Sequence, residues 1–169
     1  MKQIYHLNQA DYGLERTNRA NVNVYPPTGG LKEEIGKIPF VTEVFPDKLS
    51  AIFPRYARSF RGVDEWEGRQ DSTSVVNFEL IDCNQEYFRF YEMKLVEGTM
   101  PSNAAGNQIL VNQTGIKALN MNHPVGKTIL KGESQYVITG VVKDFYIAPP
   151  TVPTKPVSYT HLRAHETSL

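Results

Sequence analysis

Apolar and polar side chains alternate through the middle of the chain, which is the period of a strand whose two faces differ. The clearest case is the segment STSVVNFELIDC, where three apolar side chains fall on one face: Val76, Phe78 and Leu80. Val75 and Ile81 fall on the opposite face. The pattern predicts a strand here.

Further strand signals follow in the second half of the chain. The apolar run Ile109–Val111 predicts a strand that continues directly into a short helix near Thr114–Leu119. The segments NHPVGKTIL and GESQYVITGVVKDFY predict a hairpin-like pair that turns at residues 131–133. Gly140 interrupts the second segment, so we expect it to permit close packing or a bulge. KLVEG predicts a short extended piece closed by Gly98.

Two segments carry apolar residues at helical spacing. In GGLKEEIGKIP these residues fall at i, i+4 and i+7: Leu31, Ile35 and Ile38. Glu33 and Glu34 in the first turn and Lys37 in the last suit the helix dipole, and Pro39 is predicted to end the helix. NQEYFRFYEM predicts a second helix with Asn84 as its N-cap. Its aromatic stripe is interpreted as core packing: Tyr87, Phe88, Tyr91 and Leu95.

The first third of the chain predicts a β-α-β unit. VNVYPP is interpreted as a strand that stops at two prolines, and VTEVF (Val41–Phe45) as a second strand after the first helix. Residues 46–72 are punctuated by proline and glycine and mix both charge signs, so we interpret them as an excursion with short strands and a solvated face. The order of elements shows no strict alternation, which favours an α+β fold with mixed sheets and short helices.

Composition narrows the function classes. The 169 residues include 40% hydrophobic residues, an ordinary globular balance. Eighteen basic and eighteen acidic residues give a net charge of zero, which argues against broad nucleic-acid binding. Cys83 is the only cysteine, so neither an intramolecular disulfide nor a cysteine-based zinc cluster can form. No apolar run approaches the roughly 18–20 residues that span a bilayer, and the first residues lack the apolar core of a secretory signal.

The motifs that could carry chemistry are weak. PVGKT holds the Gly-Lys-Thr of a phosphate-binding loop, but Met121 stands where that loop needs a glycine, so Gly126 is interpreted as a turn residue. His161 and His165 have metal-ligand spacing, but Leu162 stands where the metalloprotease pattern needs glutamate. His6 and His123 sit in polar segments without a recognisable catalytic set. We predict no cofactor and no metal site.

Strand-end carboxylates leave one enzyme hypothesis open. Asp82, Asp144 and Glu79 lie on or at the ends of predicted strands, and Asp82 with Asp144 could serve a metal-dependent hydrolase if they converged in one pocket. The alternative interpretation of Asp144 is that it caps the turn that follows its strand, with Phe145 packed below it. The Asn-x-Thr of residues 112–114 lies at a strand-to-helix junction, where Asn112 or Thr114 is more useful as a cap.

The last residues, VSYTHLRAHETSL, break the preceding pattern abruptly after Pro156. They resemble a peptide that recurs at the ends of unrelated sequences and looks like translated sequencing-adapter or vector DNA. We therefore expect residues 157–169 to be a non-native tail and set them aside in predicting fold and function.

Between Asp82 and Tyr146 the chain carries an ordered set of four motifs. A Tyr-Phe helix (Tyr87, Phe88) leads to Leu-x-Glu-Gly ending at Gly98, and a strand then ends at Asn112. A Pro-Val-Gly-Lys turn (Pro124, Gly126) and a strand ending Gly-Val-Val-Lys-Asp-Phe complete the set: Gly140, Asp144 and Phe145. This ordered set resembles the MacB-like periplasmic core domain of FtsX/MacB-type ABC transporter permeases, although Gln113 stands where that family usually has glutamate.

The resemblance covers about residues 13–150 and implies a non-catalytic, extracytoplasmic domain of a bacterial inner-membrane permease. It implies two α+β lobes, a discontinuous porter-like lobe and an inserted sabre-like lobe that begins at about 46–72. Residues 1–20 would be an irregular segment after a missing transmembrane helix, and residues 21–156 the core domain. The partners implied are a cytoplasmic ABC ATPase subunit or domain, a second permease as homodimer or heterodimer, and a periplasmic adaptor protein. The chain would then be a truncated fragment; a free-standing periplasmic binding module is the remaining alternative.

Overall fold

The computed structural model describes residues 11–13, 17–20, 22, 29–45, 58–83, 85–102, 106–146 and 153–161. These residues hold three short helices: α1 (Leu31–Gly36), α2 (Gln85–Phe90) and α3 (Gln113–Leu119). They also hold eight strands: β1 (Arg58–Val63), β2 (Glu65–Trp66), β3 (Val76–Cys83), β4 (Leu95–Gly98), β5 (Gln108–Asn112), β6 (Thr128–Lys131), β7 (Ser134–Val142) and β8 (Val157–His161). The α+β prediction is confirmed.

All eight strands of the described residues join one mixed sheet. Its order is β1-β3-β8-β5-β7-β6-β2, and β4 pairs with β7 off this path. The pairs β3–β8 and β5–β7 are parallel, and the other pairs are antiparallel. The predicted hairpin is confirmed, because β6 and β7 pair antiparallel from Lys131 opposite Ser134. The division into two lobes stays a prediction, since the described strands form a single sheet.

Each face of the sheet carries its own hydrophobic core. We call the first the aromatic layer, made of Ile81, Tyr87, Phe88, Tyr91, Leu110, Val142, Phe145, Val157 and Tyr159. We call the second the aliphatic layer, made of Val63, Trp66, Phe78, Ile109, Val111, Leu119, Met121, Ile129 and Ile138. Strand alternation explains the division, because neighbouring residues of one strand face opposite sides. The predicted faces of β3 are confirmed, with Phe78 in one layer and Ile81 in the other.

The aromatic layer confirms the core interpretation of the aromatic stripe. Tyr87 and Phe88 of α2 and Tyr91 just after it are buried. The Phe88 ring meets Tyr159 edge-on at 5.7 Å, and the Tyr87 and Tyr91 rings lie 4.9 Å apart. Such pairs add to the free energy gained from burial alone. Helix α2 is therefore held to the sheet by its aromatic side chains.

The prediction of a strand at Val41–Phe45 is wrong. These residues form no strand, and the N–H of Val41 instead donates to the carbonyl of Ile38 in a turn. The apolar side chain of Phe45 stacks on Phe90 of α2 at 5.1 Å, and Glu43 pairs with Arg89 on the same helix. Phe45 therefore packs on α2 and does not take part in sheet pairing.

Of the predicted β-α-β unit, only the helix is confirmed. Helix α1 forms but ends at Gly36, before the predicted stop at Pro39, and its apolar side chains are at most half-buried. Of the predicted strand VNVYPP only Val22 is described; it is exposed and lies in no strand. The rest of that strand lies outside the described residues.

The excursion at residues 46–72 is described from residue 58 onward. Strand β1 pairs with β3 and β2 pairs with β6, so both short strands belong to the main sheet. Trp66 is buried in the aliphatic layer and donates its indole N–H to the carbonyl of Leu119 at 2.9 Å. The assignment of residues 46–72 as the start of an inserted lobe stays a prediction.

Strand β8 lies where no element was predicted. Val157–His161 runs between β3 and β5 in the interior of the sheet, parallel to β3 and antiparallel to β5. Residues 162–169 lie outside the described part of the chain. The expectation that residues 157–169 are a non-native tail stays a prediction.

Gly98 lies against β7 at a point where no side chain fits. Its φ of 82° is in the left-handed region, and an added Cβ would overlap the carbonyl oxygen of Thr139. The opposing Gly140 is equally restricted, because its Cβ would lie 2.8 Å from the carbonyl oxygen of Glu97. Register shifts on both sides of this contact mark bulges at Val96 and Thr139. The expectation of close packing or a bulge at Gly140 is confirmed.

We predict that Gly98→Ala lowers the free energy of unfolding by about 3 kcal/mol or more, because backbone strain and steric overlap add. Gly126→Ala is the matched control: Gly126 has a similar φ of 87° but open space around the added Cβ. This control should lose only about 1–2 kcal/mol. Urea unfolding of the three proteins measures both values, and equal losses would contradict the close approach at Gly98.

Candidate functional site

The parallel strands β5 and β7 end at the same edge of the sheet. Asn112, the last residue of β5, lies opposite Val142, the last residue of β7. The residues that follow each strand are therefore brought together, although they lie about 30 positions apart in sequence. We call this place the strand-end junction and define it by Asn112, Thr114, Asp144, Lys155 and Val157.

Asn112 joins three segments at the junction and is only 1% exposed. Its Oδ1 accepts the N–H of Gly115 at 2.9 Å, which makes Asn112 the N-cap of α3, as predicted. The same Oδ1 accepts the N–H of Val157 at 2.8 Å, and Nδ2 donates to the carbonyl of Lys155 at 2.9 Å. One buried amide thus ends β5, starts α3 and holds the beginning of β8.

Asp144 supports the same helix from a different strand. Its Oδ1 accepts the backbone N–H of Thr114 at 2.9 Å, and its Oδ2 accepts the Thr114 hydroxyl at 2.8 Å. The N–H of Asp144 points back to Oε1 of Gln113 at 3.4 Å. A carboxylate at a helix N-terminus is favoured by the helix dipole. Asp144 was expected to cap the turn after its own strand, and it instead caps α3, an earlier helix.

The segment 11–13 packs on the residues that follow β7. The Asp11 carboxylate pairs with Lys143 at 2.5 Å and also accepts the N–H of Gly13 at 2.8 Å. The carbonyl of Tyr12 accepts the N–H of Tyr146 at 2.9 Å, and the two rings meet edge-on at 6.3 Å. Sequence analysis missed this contact, because no local pattern in DYG indicates a partner about 130 residues away.

The ion pair with Lys143 lowers the pKa of the Asp11 carboxyl. The hydrogen bond from Lys143, and after it the N–H of Gly13, hold the pKa of the Asp11 carboxyl below its usual value of 3.8. The Asp11 side chain is well exposed, so solvent screens the pair. The contact therefore fixes the position of segment 11–13 more than it adds to stability.

Glu79 lies on β3 and bonds the segment that leads into β8. Its carboxylate accepts from Lys155 at 2.7 Å, and this bond raises the pKa of the Lys155 ammonium above its ordinary value. The backbone N–H of Glu79 donates to the carbonyl of Pro156 at 2.9 Å. Glu79 was a candidate strand-end carboxylate, and the structure gives it this pairing role.

The carboxylates proposed for a hydrolase are placed as follows. Asp144 directs both oxygens at Thr114. The backbone of Asp82 pairs with Thr160 in the β3–β8 ladder, and its side chain lies outside the described part of the structure. Among the described residues no group of three or more His, Cys, Asp or Glu side chains could hold a metal ion. Convergence of Asp82 with Asp144 is therefore not tested.

The remaining motif residues are the turn residues before β6 and the histidines. Gly126 adopts a left-handed φ in the turn before β6, as predicted, and its N–H donates to the carbonyl of Ile138 at 2.8 Å. Pro124 begins the same turn and accepts the N–H of Lys127. His161 contributes backbone to β8, whereas His6 and His165 lie outside the described residues.

A cleft of about 260 Å³ lies between α1 and residues 41–44. Its lining includes Lys32, Glu33, Thr42 and Glu43 but none of the junction residues. The helices of the described residues are all too short to cross a membrane.

Neither a protein-family model nor a curated protein matches the chain. Among solved structures, the chain is similar to the extracellular domain of the noncanonic ABC-type transporter YknZ from Gram-positive bacteria. That match has 15% identity and a TM-score of 0.47, and it covers 66% of this chain and 54% of the other. The chain is also similar to the periplasmic region of MacB from Actinobacillus actinomycetemcomitans, with 19% identity, a TM-score of 0.44 and coverage of 77% and 52%.

The chain thus spans about half the length of these solved structures.

We predict that Asn112→Ala lowers the free energy of unfolding by about 3–5 kcal/mol, because it leaves buried N–H groups and a carbonyl without partners. Asn77→Ala is the control, since Asn77 is exposed on β3 and accepts the N–H of Gly62. It should lose at most about 1 kcal/mol. Chemical denaturation compares the two, and a loss at position 112 no larger than at position 77 would contradict the joining role.

The contact of segment 11–13 should weaken in acid. A carboxyl whose folded-state pKa is depressed stabilises the contact above its unfolded pKa, and that contribution disappears as the pH falls through the lower, folded value. We expect the amide resonance of Tyr146 to shift as the pH drops below about 4, and the Asp11→Asn protein to lack this step. Asp71, whose pKa is lowered locally by hydrogen bonds from Thr73, provides an internal reference. A Tyr146 resonance that does not respond to Asp11 would disprove the coupling.

Proposed function

We propose that the chain is the MacB-like core domain of an FtsX/MacB-type ABC transporter permease, placed on the extracytoplasmic side of the membrane. The observation that carries the proposal is the ordered set of four motifs between Tyr87 and Phe145. Any one of these motifs is weak alone. Their fixed order over one continuous segment gives them weight together.

The positions of the motif residues support a mechanical role. Gly98 and Gly140 allow β4 and β7 to approach, and Gly126 makes the turn that leads into β6. Asn112 and Asp144 tie the ends of β5 and β7 to the start of α3. These residues connect neighbouring secondary-structure elements. Such contacts would allow the domain to move as a rigid body.

Segment 11–13 is the proposed entry point of movement. In the family this part of the domain follows the first transmembrane helix. Here Asp11 and Tyr12 bond Lys143 and Tyr146, directly after β7. A displacement of that helix would therefore reach the long strand β7 and the junction beside it.

In this role the domain carries no catalytic residues of its own. A cytoplasmic ABC ATPase, as a separate subunit or a fused domain, would supply the energy. The permease would act as a homodimer or heterodimer in the bacterial inner membrane, with this domain in the periplasm and a periplasmic adaptor as a further partner. The work performed would be efflux, or the export or release of peptides or lipoproteins.

The surrounding reading frame tests the membrane assignment. We predict one continuous frame with an apolar helix upstream of this segment and three downstream, and an ABC ATPase gene beside it. A continuous frame without those helices would overturn the proposal. A neighbouring gene for a membrane-fusion protein would support the adaptor.

A topology reporter tests the location directly. We predict that alkaline phosphatase inserted after Gly132 of the full-length permease is active in cells, because Gly132 and Glu133 are exposed at the β6–β7 turn. Fluorescent protein at the same site should be dark if exported unfolded. The matched control is each reporter fused to the partner ATPase, where the outcomes should be reversed. An inactive phosphatase with a bright fluorescent fusion at residue 132 would place the domain in the cytoplasm.

A further inference from the structure

We infer that the slot between β3 and β5 is a recognition site for an extended segment, whose backbone it bonds at residues 155–157 and for which it favours an apolar side chain at position 158. The occupant is a segment of this same chain, here Lys155–Tyr159. The inference rests on the geometry of β8 and not on the proposed function.

The first half of the slot bonds the entering backbone, and the Lys155 ammonium also pairs with Glu79 on β3. Asn112 donates to the carbonyl of Lys155 and accepts the N–H of Val157. The N–H of Glu79 donates to the carbonyl of Pro156. The main chain of three consecutive residues is thus bonded, which sets the direction and register of the segment in the slot.

The second half of the slot presents apolar walls. Ser158 pairs with Leu80 on β3 and with Val111 on β5. Val157 and Tyr159 face the aromatic layer, so alternation turns Ser158 toward the aliphatic layer, where Val111 lies and against which Leu80 packs.

Ser158 is mismatched with these walls. Its side chain is 1% exposed, and among the described residues its Oγ has no hydrogen-bond partner. A buried hydroxyl without a partner is destabilising, because no hydrogen bond offsets the free-energy cost of removing the polar group from water. The slot therefore selects an apolar residue at this position, and a segment carrying one would occupy it more stably than VSYTH.

The test compares Ser158→Ala and Ser158→Val in the full chain. Alanine removes the hydroxyl without adding bulk, and we expect it to raise the urea midpoint by about 0.5 M. Valine should raise it at least as much and should slow amide exchange at Val157 and Tyr159 by about fivefold or more. The exchange measurement reports the seating of β8 itself.

Ser134→Ala and Ser134→Val are the matched controls, because Ser134 is an exposed serine on strand β7. These controls distinguish the effect of removing a buried hydroxyl from the intrinsic strand propensity of alanine or valine. Their urea midpoints should change by less than half of the gain that the same substitution gives at position 158. A Ser158→Ala protein with an unchanged or lower midpoint would overturn the inference. A gain at 158 matched at 134 would overturn it as well. A gain with alanine and a loss with valine would support an apolar site that admits only a small side chain.

Discussion

The buried amide of Asn112 is the interaction on which the arrangement of the chain depends. It lies at the last position of β5 and bonds the first turn of α3 and the first residues of β8. A buried amide must have its donor and acceptor satisfied, and its three partners here belong to two other segments of the chain. Removing it would therefore loosen a strand end, a helix start and the sheet interior together.

Parallel pairing of β5 and β7 explains why other polar groups gather beside Asn112. Parallel strands that share a register end at one edge, so the residues after each strand meet there. Thr114 follows one strand and Asp144 the other, and their two hydrogen bonds join the helix to the second strand. Segment 11–13 then packs on the residues after β7, which links a third part of the chain to the same edge.

The sequence predicted those elements whose cause is local. Alternation located β3, aromatic spacing located α2, and the residue types at the strand-to-helix boundary indicated a cap at Asn112 or Thr114, of which Asn112 is the N-cap. The strand expected at Val41–Phe45 does not form, and Phe45 packs on α2 instead. Alternating apolar residues do not reveal whether their packing partner is a strand or a helix. Hydrogen bonds and ion pairs between residues far apart in sequence, such as Asp144 with Thr114 or Asp11 with Lys143, cannot be predicted from the local sequence pattern.

Asp144 shows why a strand-end carboxylate is a poor indicator of catalysis. Parallel sheets concentrate functional groups at this edge in many enzymes, and the same geometry also places a carboxylate where a helix N-terminus needs an acceptor. The deciding observation is what the oxygens bind. Both oxygens of Asp144 accept hydrogen bonds from Thr114 at distances ordinary for a structural cap. Those two bonds join the end of β7 to the start of α3. The role that the structure shows for this carboxylate is therefore to hold the strand-end junction together.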